Sequence, residues 1–128
     1  MVEVQPLRIL VADDEPLVVR MIGEALKISG HTVDVAGSGT EALRSWHEAE
    51  YDLIILDAVM DRQSGVEVAS RIREDGSDIP IVLMSSGAAG GDRLDPLAYT
   101  LRVEVLRKPF GARDLTDTVS RAVRHFDP

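Results

Sequence analysis

The chain has no cysteine among its 128 residues. That excludes a disulfide scaffold, a thiolate zinc site and a cysteine nucleophile. It also has no excess of basic residues: 14 Lys+Arg stand against 22 Asp+Glu, for a formal charge of −8. A general nucleic-acid binder needs a basic stripe to displace counterions from phosphates, so that class is disfavoured. Long apolar runs are missing too. Leu53-Ile54-Ile55-Leu56 is far too short to cross a bilayer. The N-terminus, Met1 to Pro6, has neither a basic stretch nor an apolar one, so it does not read as a signal peptide. The expectation is a soluble cytoplasmic protein without membrane or nucleic-acid partners, and a single domain over 1–128.

What is present is an alternation of short apolar runs and helical patterns. Leu7–Ala12 reads as a first strand. The helix after it places Leu17, Met21 and Ala25 in one row and Val18, Ile22 and Leu26 in the next, and Ser29-Gly30 ends it. Thr32–Ala36 is a second strand, followed by a small-residue loop at Gly37–Thr40 and a helix from Glu41 to about Ala49. Leu53–Leu56 and Ile81–Met84 are strands three and four, on either side of a helix at Gly65–Arg73. Arg102–Arg107 is a weaker fifth strand, and a last helix carries Leu115, Val119, Ala122, Val123 and Phe126. Near-continuous apolar strands alternating with helices predict an α/β fold: a parallel sheet covered on both faces.

Ligands of such sheets bind at the carboxyl ends of the strands. The residues there are Asp13 and Asp14 after strand one, Asp57 after strand three, Ser85 after strand four and Lys108-Pro109 after strand five. Taken singly, each has a plain explanation as a helix cap, a loop residue or a turn. Together and in order they make a site. Three crowded carboxylates call for a hard divalent cation, and Mg²⁺ suits oxygen ligands. One carboxylate can then attack phosphorus, with Lys108 and Ser85 placed for the phosphoryl oxygens. Lysine is scarce in this chain, with only Lys27 and Lys108, so a lysine at the rim carries weight.

These residues resemble the receiver domain of two-component response regulators. The resemblance rests on Ile9–Pro16, Asp52–Met60 with Gly65 and Glu67, Pro80–Ser85, and Lys108-Pro109-Phe110. It implies a flavodoxin-like five-stranded sheet of order 2-1-3-4-5, the order found in a chemotaxis member of the same family. It further implies that Asp57 accepts a phosphoryl group from a sensor histidine kinase or histidine phosphotransfer protein. Asp13 or Asp14, Asp57 and the backbone carbonyl of Val59 would hold Mg²⁺. Ser85 and Lys108 would contact the phosphoryl group, across a cis Lys108-Pro109 peptide. Ser85, Ser86, Val105 and Pro109 would form the switch region, moving the helix after strand four and signalling to a downstream protein, the chain being a monomer or weak dimer without an output domain.

Two positions depart from the family pattern. Asp61 stands where proline is usual, and Val105 where the family carries a switch tyrosine or phenylalanine, so aromatic coupling from Ser85 is weakened or replaced. Gly87–Gly91 reads as a flexible loop, since it lacks the ending of a P-loop. The Gly-Ala turn common before strand five is missing. His31, His47 and His125 are expected at the surface or a strand edge, Trp46 in packing, and Arg121 and Arg124 on a solvated face. Two competing functions are a degenerate receiver that only binds a partner, and a Mg²⁺-dependent phosphohydrolase with an Asp nucleophile. The latter needs a second Asp two residues on, where Val59 stands.

Overall fold

Each apolar run of the sequence becomes a strand, and the glycines and small polar residues between them become turns. A computed structural model describes residues 5–60, 62–86, 96 and 98–125. The elements are β1 (Arg8–Ala12), α1 (Pro16–Ile28), β2 (Thr32–Ala36), α2 (Gly39–Glu48), β3 (Leu53–Asp57), α3 (Gly65–Glu74), β4 (Ile81–Ser85), β5 (Glu104–Arg107) and α4 (Ala112–His125). Residues 98–101 are also helical. All strand pairs are parallel, in the order β2-β1-β3-β4-β5. The fold is flavodoxin-like, with the strand order that the family resemblance implies.

Alternation along the strands divides the core into two layers. Ile9, Val11, Ile55, Val82 and Met84 pack with Ile22 and Leu26 of α1 and Leu115, Val119 and Ala122 of α4. Leu10, Ile54, Leu56, Ile81 and Leu83 pack with Ala42, Val68, Ala69 and Ile72 on the other face. Helix starts and stops follow local chemistry. Pro16 opens α1, where its missing N–H costs nothing. Ser64 and Glu67 form a reciprocal capping box on α3. Gly30 (φ 97°) closes α1 in the left-handed region, with the His31 N–H donating to the Leu26 carbonyl at 3.1 Å.

The structure corrects four sequence expectations. The row Leu17–Met21 does not face the core: Leu17 is 81% and Met21 52% exposed, while α1 buries Val19, Ile22, Gly23 and Leu26. Two adjacent apolar rows were visible, and the sheet covers only one side of them. Helix α2 begins at Gly39, not Glu41, because Ser38 is its cap and accepts the Glu41 N–H at 3.1 Å. Strand β5 begins at Glu104, not Arg102. Arg102 (φ 57°) occupies the left-handed position that ends the helical turn at 98–101, a place where glycine is usual. The Val103 N–H donates to the Ala98 carbonyl there, and Arg73 donates to the carbonyls of Leu101, Arg102 and Ser77 at 2.7–3.1 Å. Gly87–Gly91, Asp61 and Phe126 lie outside the described residues.

The fourth correction concerns His31. It sits just before edge strand β2 but is buried, and its Nδ1 accepts the Leu7 N–H at 3.0 Å. Burial holds its pKa below 6.5. An imidazolium has no lone pair at Nδ1, so protonation removes this bond. The folded chain therefore binds fewer protons at His31 than the unfolded chain does. Its stabilising contribution is complete above 6.5 and is lost as the pH falls from there through the lower folded value. Against a His31→Gln variant, the stability advantage of the parent protein in urea unfolding should shrink by about 1 kcal/mol between about pH 7.5 and about pH 5. A pH-independent difference would refute this.

Candidate functional site

Strand register assembles the site. Ala12 pairs with Leu56, so the next residues, Asp13 and Asp57, leave the sheet side by side. Asp57 pairs with Met84 and Ser85 with Arg107, which places Ser85 one residue beyond Asp57 and Lys108 at the end of the row. Carboxylate oxygens of Asp13, Asp14 and Asp57 all lie within 4.8 Å of one another. Asp13 and Asp57 are buried, and Asp14 is exposed. Lys108 Nζ donates to Asp13 Oδ2 at 2.9 Å and to Asp57 Oδ2 at 3.3 Å.

Asp13 turns its carboxylate onto the backbone just ahead of α1. The cap position is Glu15, with no side-chain cap bond, while Asp13 Oδ1 accepts the Glu15 N–H at 2.9 Å. Asp57 Oδ1 accepts the Val59 N–H at 3.2 Å, which folds the following loop back over the carboxylate. Val59 itself is exposed. Ser85 ends β4 and is buried, and its carbonyl accepts the Lys108 N–H at 2.7 Å. The Lys108-Pro109 peptide is cis. Ser86 is exposed, and Val105 is half-buried in β5.

The electrostatics follow from crowding. Burial first, then the Asp13 charge, push the Asp57 carboxyl up to about 6, against the opposing pull of Lys108 and the Val59 N–H. Burial by itself would lower Lys108, but the hydrogen bond to Asp13 and the charges of Asp57 and Asp13 outweigh it and raise the ammonium. One cation among three carboxylates leaves negative charge uncompensated. The donor set, all hard oxygen and open on the Asp14 side, fits Mg²⁺.

Beside the carboxylates lies a groove of about 430 Å³, lined by Pro16, Val19, Val35, Ala36 and Glu41 as well as Asp13 and Asp14. Sequence reasoning missed this apolar border, which joins Pro16 and Val19 of α1 to Val35 and Ala36 of β2. The other side chains singled out in the sequence lie elsewhere. His47 is exposed, and Trp46 is half-buried against the core. Arg121 pairs with Glu104 of β5 at 3.1 Å, and Arg124 donates to the Ser120 carbonyl. Among the described residues no helix is long and apolar enough to cross a membrane.

Comparison with known proteins bears on this arrangement. The profile of the response regulator receiver domain matches residues 9–120. The response regulator MprA of Mycobacterium sp. (strain KMS) is 31% identical over 123 residues, which cover 96% of this chain and 53% of that protein. The probable transcriptional regulatory protein TcrX of Mycobacterium tuberculosis is 31% identical over 111 residues, covering 87% and 47%. The chain thus spans about half the length of these curated relatives. Among solved structures, response regulator TrrA of Thermotoga maritima, in complex with Mg²⁺-BeF, is 35% identical with a TM-score of 0.79, covering 90% of this chain and 97% of that one. A response regulator receiver domain protein of Clostridium thermocellum is 30% identical with a TM-score of 0.83, covering 92% and 94%.

Proposed function

Since this chain belongs to the response regulator receiver family, we propose that it is a phosphoacceptor whose Asp57 takes a phosphoryl group from a phosphohistidine. The donor is a sensor histidine kinase or a histidine phosphotransfer protein, the receiver is a downstream protein, and the exchange takes place in the cytoplasm. The observation that carries this reading is the convergence of Asp13, Asp14, Asp57 and Lys108 at one rim of the sheet.

In the reaction, a carboxylate oxygen of Asp57 bonds to phosphorus as the bond from phosphorus to the imidazole nitrogen breaks, and the imidazole leaves with the electron pair. Asp13, Asp14, Asp57 and the Val59 carbonyl would hold Mg²⁺, which supplies charge neutralisation at the carboxylates and at the phosphoryl oxygens. Lys108 donates to Asp57 Oδ2 in the resting site and would exchange that partner for a phosphoryl oxygen. Ser85, buried at the end of β4, offers a hydroxyl to another. Val59 provides no acid for a leaving group, which separates this site from a phosphohydrolase.

The exposed side chains of Leu17 and Met21 suit the donor's docking. They lie in the first two turns of α1, directly after Asp14, and a helical phosphohistidine protein would cover them while its imidazole faces Asp57. Acetyl phosphate with Mg²⁺ should add one phosphoryl group to the chain, visible by intact mass. Leu17→Arg should leave that labelling unchanged and slow transfer from the cognate protein donor by about tenfold or more, as loss of an apolar contact of about 1–2 kcal/mol does. No phosphorylated species from any donor would refute the phosphoacceptor reading.

A further inference from the structure

The loop after Asp57 is held from outside the site. Near its far end, Arg62 (φ 57°) and Gln63 (φ 96°) are two successive non-glycine residues with left-handed backbone. A β-carbon makes that conformation costly, and it persists only where the surroundings enforce it. Two glycines do so. Gly65 lies so close to the Asp57 carbonyl that a β-carbon would come within 2.8 Å of its carbon. Gly39, the first residue of α2, lies equally close to Gln63, with a β-carbon falling 2.8 Å from that carbonyl carbon. Beside it, Thr40 Oγ1 donates to the Arg62 carbonyl at 3.4 Å.

The turn that makes these contacts is itself fixed. Ser38 accepts the Glu41 N–H, and Glu41 Oε2 accepts the Gly37 N–H, both at 3.1 Å. The other end of the loop is fixed by the capping box of Ser64 and Glu67. A strained stretch of backbone thus sits between two rigid helix starts, and it belongs to the loop whose Val59 N–H is bonded to Asp57.

We propose that the first turn of α2 is the seat of the acceptor loop. Gly39 is a positioning residue that sets the Val59 carbonyl for its metal, and loading of the Asp57 site is linked to order in that turn. The proposal rests on the phosphoacceptor reading and adds to it a structural element that contributes no group to the site. Linkage is reciprocal: whatever a displaced α2 turn costs the metal, the bound metal returns as order in the turn.

Gly39→Ala puts a methyl group against the Gln63 carbonyl, so the loop must shift. The Mg²⁺ dissociation constant, by calorimetric titration, should rise about tenfold, the usual cost of disturbing groups that orient a metal ligand. Leu43→Ala, on the same helix but packed against the core, should lower stability and leave Mg²⁺ affinity within about twofold, since it leaves the Gly39 and Thr40 contacts to Gln63 and Arg62 in place. In the unaltered protein, amide exchange at residues 39–43 should slow severalfold on addition of Mg²⁺ and beryllofluoride, and this decides the matter if Gly39→Ala does not fold. Binding of Mg²⁺ and beryllofluoride with Gly39→Ala neutral, or with unchanged exchange in α2, overturns the seat alone. Failure of the unaltered protein to bind either one overturns the phosphoacceptor reading, and the seat with it.

Discussion

Asp57→Asn should abolish phosphoryl labelling and, in metal-free protein near pH 7, should make the fold more stable by about 1–3 kcal/mol. The first half follows from removing the nucleophile. The second follows from the environment that makes Asp57 useful. Its carboxyl is raised from 3.8 to about 6, so the folded chain holds this proton more tightly than the unfolded chain. The stabilising contribution of the protonated acid is complete below 3.8 and is lost as the pH rises through about 6. Above that, the buried carboxylate is a net cost. Two pKa units correspond to about 3 kcal/mol, an upper bound because Asp13 and Lys108 rearrange when the charge goes. Asparagine keeps an oxygen for the Val59 N–H and drops the charge.

Urea unfolding in the presence of a chelator at about pH 7 and about pH 4 tests this, because the gap should close at the lower value, where Asp57 is largely protonated. Excess Mg²⁺ should close it from the other side by stabilising the parent protein alone. For the same reason Mg²⁺ affinity should fall about tenfold per pH unit below about 6, as protons compete for Asp57. An Asp57→Asn chain less stable than its parent at pH 7 would mean that Lys108 fully compensates the carboxylate.

Much of this site is legible in the sequence because parallel strands carry the alignment. A polar residue directly after an apolar run must emerge at the carboxyl end of its strand, and Asp13, Asp57 and Ser85 each hold that position, while Lys108 follows the charged end of β5. Register then brings together residues up to 95 positions apart, as in the Lys108–Asp13 pair. What the sequence hides is whatever depends on a second surface. Leu17 and Met21 have the same spacing as the half-buried Val18 and the buried Ile22, and only the angle at which α1 meets the sheet separates them. His31 looks like an ordinary edge residue until Leu7, 24 positions away, donates to it. The left-handed Arg102 carries no glycine to announce it, since Arg73 and the carbonyls it holds enforce the turn. The seat at Gly39 is invisible for a similar reason: its small size answers to a carbonyl on another element, not to its own helix.

Lys108→Met should separate the lysine's role from that of the metal, because the two effects have opposite signs. Lys108 faces both Asp13 and Asp57 with a side chain only 20% exposed. Without it, the carboxylates repel one another unopposed, and Asp57 should titrate higher still. Metal-free protein should lose about 1–3 kcal/mol, less than for a fully buried pair because Asp14 and the mouth of the site remain open to solvent. Removing a fixed cation also removes a competitor for the divalent ion, so at about pH 8, where Asp57 is ionised in both proteins, Mg²⁺ should bind at least as tightly as before. Phosphorylation by acetyl phosphate should nonetheless fall by about 10²–10³-fold, the usual result of deleting one prearranged donor to a developing oxyanion. A variant that binds Mg²⁺ tightly and is labelled within about twofold of the parent rate would show that Lys108 only balances charge in the resting site. Tight metal binding with slow labelling would place its ammonium on the transferred phosphoryl group, since the ion alone cannot reach every oxygen that carries the transferred charge.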